Sequence, residues 1–336
     1  MNTPPRTGRE VRLAARPVGM PAPGDLVLAA AAVPEPAAGE VLVRNLFLSL
    51  DAGTRIRMSD VGVPIPLIAV GEVMTGDAVG RVIASASPDL AVGDLVRHAL
   101  GWREFALANA DRFHKVDGQA FPTQSAHLAP ALTAWAGLVD VARLTTGETV
   151  FVSGAAGAVG GLVGQIARLK GAARVVGSAG SPAKVAHLTG VLGFDAAFDY
   201  HDGSPADQLR KIVPGGVDVY FDNAGGAQLE AAIEVMNPHG RIVLCGALAS
   251  QNGAARSSGP ANLILAIAKR LTLRGFLTSD HLHRAPTVQA EMSAWLRAGR
   301  LHLDESIVDS LDNAPAAFVD MLRGAYTGKV IIRLAP

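Results

Sequence analysis

The 336-residue chain has a single cysteine, Cys245, which excludes an intrachain disulfide and any zinc site built from several thiolates. It has no excess of either charge, with 30 Lys and Arg against 30 Asp and Glu. The basic residues are dispersed, so neither nucleic acid nor an anionic membrane surface is indicated as a partner. No apolar run reaches the length of a membrane span, and the start, MNTPPRTGREVRLAARPVG, lacks the apolar stretch of a signal peptide. A soluble, cytoplasmic protein is expected. The nine histidines show no paired helical spacing of the HExxH kind, and His281 and His283, two apart, read as a solvated loop rather than as metal ligands. No metal is therefore expected, and the chemistry must come from an organic cofactor.

What is present is a strand, a glycine turn and a helix. Thr149 to Gly160 read TVFVSGAAGAVG, with glycines at 154, 157 and 160, and the helical stretch GLVGQIARLKGA follows. A strand that turns on glycine into a helix N-terminus leaves unpaired backbone N–H groups facing outward, and these hold a pyrophosphate without basic side chains. The next segment, Ala173 to Gly180 (ARVVGSAG), is a second buried-strand pattern. After it Ser181 is placed as N-cap and Pro182 at the first helical position. Together these form a βαβ unit of the length a dinucleotide site requires. An acidic residue at the end of the second strand would select NAD, but Gly177 to Ser181 hold no carboxylate, and Lys184 lies one turn into the helix. NADPH is the expected cofactor, with Lys184 read as a phosphate contact rather than as a solvated helix lysine.

The first third alternates short apolar runs with Pro and Gly, the pattern of a small antiparallel β barrel. From about Ser125 buried strands alternate with helices (TVFVSG, ARVVGS, DAAFDY, VDVYFDNAGG, GRIVLCGA, LTLRGF), which argues for a parallel, doubly wound sheet. From about Glu305 the pattern returns to short segments ending in GKVIIRLAP, a strand able to rejoin the first domain.

Segments along nearly the whole chain carry a resemblance: RPVGMP (16–21), FLSLDAGTRIRM (47–58), GWREFAL (101–107), LTAWAGL (132–138), the glycine turn, LGFDAAFDY, VYFDNAGG, GRIVLCGA, LRGFLTSD and PAAFVDMLRGAYTGKVII. With them the chain resembles the medium-chain dehydrogenase/reductase superfamily, and within it the zinc-independent NADPH-dependent double-bond reductases such as the prostaglandin and alkenal reductases. The resemblance implies an α/β fold, a Rossmann doubly wound parallel sheet over 126–305 that binds NADPH, and a GroES-like β-rich barrel over 1–125 and 306–336 that binds substrate. Zinc-dependent relatives place a cysteine and a Gly-His-Glu where this chain has Ser49-Leu50-Asp51 and Thr75-Gly76-Asp77. It also implies a homodimer, with the strand near Leu271 to Leu277 pairing edge to edge across a two-fold axis.

The implied activity is hydride transfer from NADPH to the β-carbon of an enone or enal, in a cleft between the domains. The site must then offer a donor to the carbonyl oxygen and a proton to the α-carbon. By resemblance Gly154, Ala156, Gly157, Ala158, Val159 and Gly160 hold the pyrophosphate, and Ser178, Gly180, Ser181, Lys184 and Tyr200 surround the adenosine phosphate. Asn223, Cys245, Gly246, Ala247, Phe276, Leu277 and Thr278 follow the nicotinamide half. Asp51, Gly53 and Arg55 fall in the substrate segment. Three departures stand out. Gln251 occupies the place of a tyrosine that relatives aim at the substrate carbonyl, and a glutamine can donate a hydrogen bond but not a proton. Ala52 and Gly53 replace a proline and an aromatic, implying room for a bulky substrate. Tyr326 replaces an asparagine that contacts the cofactor, and it is the candidate to substitute for the missing phenol. Quinone reduction, a repurposed secondary-metabolite reductase and an NADPH-binding protein without catalysis remain open as alternatives.

Overall fold

The computed structural model describes residues 7–59, 64–248 and 259–334. The chain divides into two units, Met1–Ala129 with Glu305–Pro336, and Pro130–Asp304. The first begins with β1 (Thr7–Leu13) and β2 (Leu26–Ala32), an antiparallel ribbon in continuous register from Thr7↔Ala32 to Leu13↔Leu26. The strands β3 (Glu40–Ser49), β4 (Ala78–Ser85), β5 (Leu95–His98), β6 (Phe105–Asn109) and β7 (His114–Lys115) follow, with one short helix, α1 (Thr54–Met58). Central strand β3 pairs antiparallel with both β4 and β6, and two register shifts against β4 bend it.

The second unit opens with α2 (Ala131–Ala136) and then alternates strictly: β8 (Thr149–Val152), α3 (Ala158–Leu169), β9 (Arg174–Ala179), α4 (Pro182–Gly190), β10 (Ala196–Asp199), α5 (Pro205–Ile212), β11 (Val217–Asp222), α6 (Gly226–Val235) and β12 (Met236–Leu244). After α7 (Leu263–Lys269) come β13 (Thr272–Gly275) and α8 (Ala285–Arg297). The six strands form one parallel sheet in the order β10-β9-β8-β11-β12-β13. Helical crossovers force this parallelism, and strands buried on both faces explain the unbroken apolar runs at Val150–Val152 and Val219–Phe221. Strand addition runs outward in one direction from β8 and in the other from β11. The loops after these two neighbours therefore diverge and leave a crevice at the C-terminal edge of the sheet. Phe151, Phe198 and Tyr220 stack within the core of this unit.

The chain returns through β14 (Glu305–Asp309), α9 (Ala314–Leu322) and β15 (Lys329–Arg333). Strand β15 lies parallel to β14 and antiparallel to β3, with Ile331 opposite Ser49, so the last segment is part of the first unit's main sheet. A core cluster of this unit joins Trp102 and Phe318, whose rings meet edge to face at 5.5 Å. His281 and His283 stand in a 3₁₀ turn, Thr278–Arg284, where His283 is exposed and only His281 departs from the solvated reading. His281 is tucked against Asp140, with Nδ1 3.0 Å from Oδ2, because the carboxylate fixes one ring nitrogen.

Candidate cofactor-binding site

At the end of β8 the chain leaves the sheet through buried Ser153 and turns at Gly154, whose φ of +57° lies in the left-handed region. Two backbone bonds fix the turn. Ala155 N–H donates to Ser178 O at 2.9 Å, and Gly157 N–H donates to Gly154 O at 3.0 Å. Gly157 is then the N-cap of α3 and offers no side chain to the first helical turn. The N–H groups of Ala158, Val159 and Gly160 belong to that turn and point out of the helix end with its positive dipole. A Cβ on Gly160 would stand 2.4 Å from Gly154 O and 2.7 Å from Ala155 Cα. The helix can therefore approach the turn only because residue 160 has no side chain. The cradle that results suits a pyrophosphate.

The second loop follows β9. The hydroxyl of Ser178, fully buried, donates to Gln228 on α6, so this side chain faces the protein interior and leaves only its backbone at the loop. Ser181 Oγ accepts the Lys184 N–H at 3.3 Å and caps α4 as its sequence requires. Lys184 is half-buried, and loss of solvent lowers its pKa. Tyr200 sits at the end of β10 with its N–H donating to Ala179 O at 3.1 Å. Burial, and secondarily Asp199, raises its phenol pKa. A Cβ on Gly180 would lie 2.8 Å from Tyr200 Oη, so glycine is needed where the tyrosine closes over the backbone.

The third loop, after β11, is organised by a residue the sequence reading passed over. Asp222, 1% exposed, accepts four donors on Oδ1: Ser153 Oγ at 3.1 Å, Tyr220 Oη at 2.7 Å, and the N–H groups of Ala224 at 3.0 Å and Gly225 at 2.8 Å. Its Oδ2 has no partner among the described residues. Burial, and then the Asp222 charge, pushes the Tyr220 phenol well above its ordinary pKa, so it remains a donor. The signal was visible: Tyr220 and Asp222 are two apart on β11 (VDVYFD), and so share one face of it. Asn223 is held next to them, its N–H on Ser153 Oγ at 2.9 Å and its Nδ2 on Ser153 O at 2.8 Å.

The loop after β12 closes the crevice. Cys245 and Gly246 donate their N–H groups to Asp222 O at 2.9 and 3.0 Å, and a Cβ on Gly246 would meet Asn223 O at 2.8 Å. Ala247 Cα stands 3.7 Å from a Cβ built on Gly225. Burial, then Asp222, pushes the Cys245 thiol up to about 12, which keeps the thiol protonated at neutral pH. After β13, Thr278 Oγ1 pairs with Thr133 Oγ1 at 2.9 Å, Phe276 packs near Gly137, and Leu277 is 63% exposed. Glycine-rich backbone, hydroxyls and the half-buried Lys184 thus line the C-terminal edge of the sheet from Gly154 to Ala247.

The residues of the first unit show a different character. Lys329, 4% exposed, donates from Nζ to Asp51 Oδ1 and to Leu50 O at 2.9 Å, while Ser49 Oγ donates to Asp51 Oδ2. Burial alone would raise the Asp51 pKa, but the Lys329 ammonium holds it below the usual carboxylate range. Both Asp51 oxygens are engaged within the protein, although part of its side chain stays exposed. Gly53 faces open space, with no atom within 4 Å of a built Cβ. Arg55 is 3% exposed; Nη2 donates to Gly19 O at 2.7 Å, while Nε and Nη1 have no partner among the described residues. Tyr326 is half-buried and packs against the cluster that contains Leu50 and Phe318. Gln251 lies outside the described residues. Among those described, no group of three or more His, Cys, Asp or Glu side chains could hold a metal ion.

Two family models match: one described as the N-terminal domain of oxidoreductase over residues 9–116, and one described as zinc-binding dehydrogenase over residues 158–296. The NADPH-dependent curcumin reductase of Escherichia coli is 40% identical over 331 residues, 96% of each chain. The NADP⁺-dependent 2-alkenal reductase of Nicotiana tabacum is 37% identical over 309 residues, 90% of this chain and 89% of the relative. Among solved structures, CurA from Vibrio vulnificus in complex with NADPH superposes with a TM-score of 0.92 at 36% identity, covering 98% of this chain and 99% of that one.

Proposed function

The chain belongs to the medium-chain dehydrogenase/reductase superfamily, in its NADPH-dependent double-bond reductase branch, and from that premise we propose that it reduces the activated C=C bond of an α,β-unsaturated carbonyl compound. NADPH, when bound, supplies the hydride that goes to the β-carbon. The observation on this chain's own residues that supports the reading is the close approach of Gly160 to Gly154, the tight turn and helix packing that a dinucleotide site uses.

The proposed roles are these. Gly154 and Ala156 to Gly160 present backbone N–H groups to the pyrophosphate. Lys184, Ser181 and Tyr200, with the Ser178 and Gly180 backbone, surround the adenosine phosphate. Asn223 offers its Oδ1 to a cofactor donor, since its Nδ2 is occupied by Ser153. Cys245 to Ala247 and Phe276 to Thr278 supply backbone and apolar surface to the nicotinamide half. The substrate contacts fall to the first unit, with Gly53 providing space and Arg55 a buried donor. Negative charge developing on the carbonyl oxygen needs a hydrogen-bond donor, and the proposal gives this to Gln251, with Tyr326 as the phenol that substitutes for the missing tyrosine.

A cytoplasmic homodimer completes the proposal. Strand β13 is an edge of the parallel sheet, and Ile264 and Ile267 on α7 are 68% and 73% exposed, which supports pairing of two copies along that edge. Steady NADPH oxidation with an enone panel, with the product identified, tests the activity. Turnover confined to quinones favours the quinone reductase alternative, and NADPH binding without any turnover favours a protein that has lost catalysis. A Tyr326→Phe variant with an unchanged pH–rate profile would remove Tyr326 from the mechanism.

A further inference from the structure

Strands β9 and β10 end side by side, with Phe198 opposite Ser178 and Asp199 opposite Ala179. Beyond that point Tyr200 and His201 turn back over the loop that follows β9. A Cβ on Gly180 would meet His201 Cε1 at 3.3 Å as well as Tyr200 Oη at 2.8 Å. The two rings stand 4.2 Å apart, tilted by 44°. His201 therefore forms part of the same wall as Tyr200, and nothing in its packing requires an imidazole, because its side chain is 62% exposed.

Its partner gives it a direction. Asp199, 7% exposed, accepts the His201 N–H at 3.0 Å on Oδ1, and the same oxygen lies 3.1 Å from His201 Nδ1. A carboxylate at Nδ1 keeps a hydrogen there and leaves Nε2 for another partner. Nε2 is bonded to Cε1, the ring atom nearest Gly180. It thus stands at the end of the second strand, where a dinucleotide places its adenosine ribose.

We propose that His201 contacts the 2′-phosphate of NADPH and helps to select it over NADH; the inference rests on the NADPH reading given above. With Nδ1 on the Asp199 carboxylate, Nε2 is the ring edge left to share a hydrogen bond with a phosphate oxygen. The residue acts twice. It supplies a donor to the phosphate, and it covers the carboxylate that would otherwise repel that phosphate.

The test compares kcat and KM for NADPH and for NADH in the wild type, His201→Ala, His201→Lys and the double variant His201→Ala with Asp199→Asn. His201→Ala is expected to lose about tenfold in kcat/KM for NADPH, through KM, with NADH little changed. His201→Lys should keep most of the preference, and the double variant should recover part of it because the uncovered charge is gone. An unchanged NADPH/NADH ratio in His201→Ala overturns the inference, as does an equal loss with both cofactors. A wild type that prefers NADH would instead overturn the cofactor reading itself, whatever the variants do.

Discussion

The side-chain amide of Asn223 donates to the backbone oxygen of Ser153 at 2.8 Å, tying the loop after β11 to the first residue of the glycine turn. The two loops at the fork of the sheet are thus one rigid piece, and the amide can face the cofactor only with its oxygen. Asn223→Asp would turn an anion toward a carbonyl and lose the tie. NADPH affinity is expected to fall about tenfold or more in a fluorescence titration, with a loss of roughly 1–3 kcal/mol in stability. Unchanged affinity would show that Asn223 is only a turn former.

Two glycines separate crowding from flexibility. Gly160→Ala forces a Cβ to 2.4 Å from backbone at Gly154 and should cost about 1–3 kcal/mol together with NADPH binding. Gly190→Ala, at the end of α4 with nothing within 4 Å, should leave binding intact and stabilise by about 0.5–1 kcal/mol. Thermal melts with and without NADPH read both. Equal behaviour of the two variants would mean that the cradle is not tight.

Lys329 carries a buried charge whose compensation is Asp51. Asp51→Asn leaves an ammonium enclosed with only Leu50 O, and is expected to cost about 2–3 kcal/mol, less than for a fully enclosed pair because Asp51 is partly exposed. Lys329→Met removes the charge itself and should cost less. Urea midpoints of the two variants decide the order, and the reverse order would mean that Lys329 is stabilised by something other than Asp51.

His98 is buried, with Nε2 2.8 Å from Asn45 Oδ1 and Nδ1 accepting the Leu100 N–H at 3.1 Å. Burial, aided by Arg103, lowers its pKa from 6.5 to about 3. Between those values the unfolded chain binds the proton that the folded protein refuses, so its contribution to stability is full above pH 6.5 and is lost as pH falls toward 3. The expected slope reaches about 1.4 kcal/mol per pH unit. A contribution of the same sign comes from His127, also buried, whose pKa burial lowers. Denaturation across this range should show His98→Gln with a shallower slope. Parallel slopes would mean that His98 titrates normally.

The cofactor half of the fold was readable because glycine, β-branched runs and the Ser181-Pro182 start each have a single local cause, and the six strands fall where those runs lie. The Asp222 cluster was harder to read. Its donors come from Ser153, Tyr220, Ala224 and Gly225, on two strand ends that only the sheet order brings together. Ser178 illustrates the same limit: its position at the end of β9 was visible, but its hydroxyl turns to Gln228 on α6, fifty residues away. His201 followed Tyr200 in sequence yet drew no notice, because its pairing with Asp199 depends on the chain turning back at the end of β10.

Reduction of an enone with NADPH carrying deuterium on the transferred position of C4 tests the central claim most directly. The expected product is the saturated carbonyl compound with deuterium on the β-carbon, its carbonyl intact and the α-hydrogen drawn from solvent. An allylic alcohol labelled at the carbonyl carbon, or NADPH oxidation with no label in the organic product, would contradict the assignment.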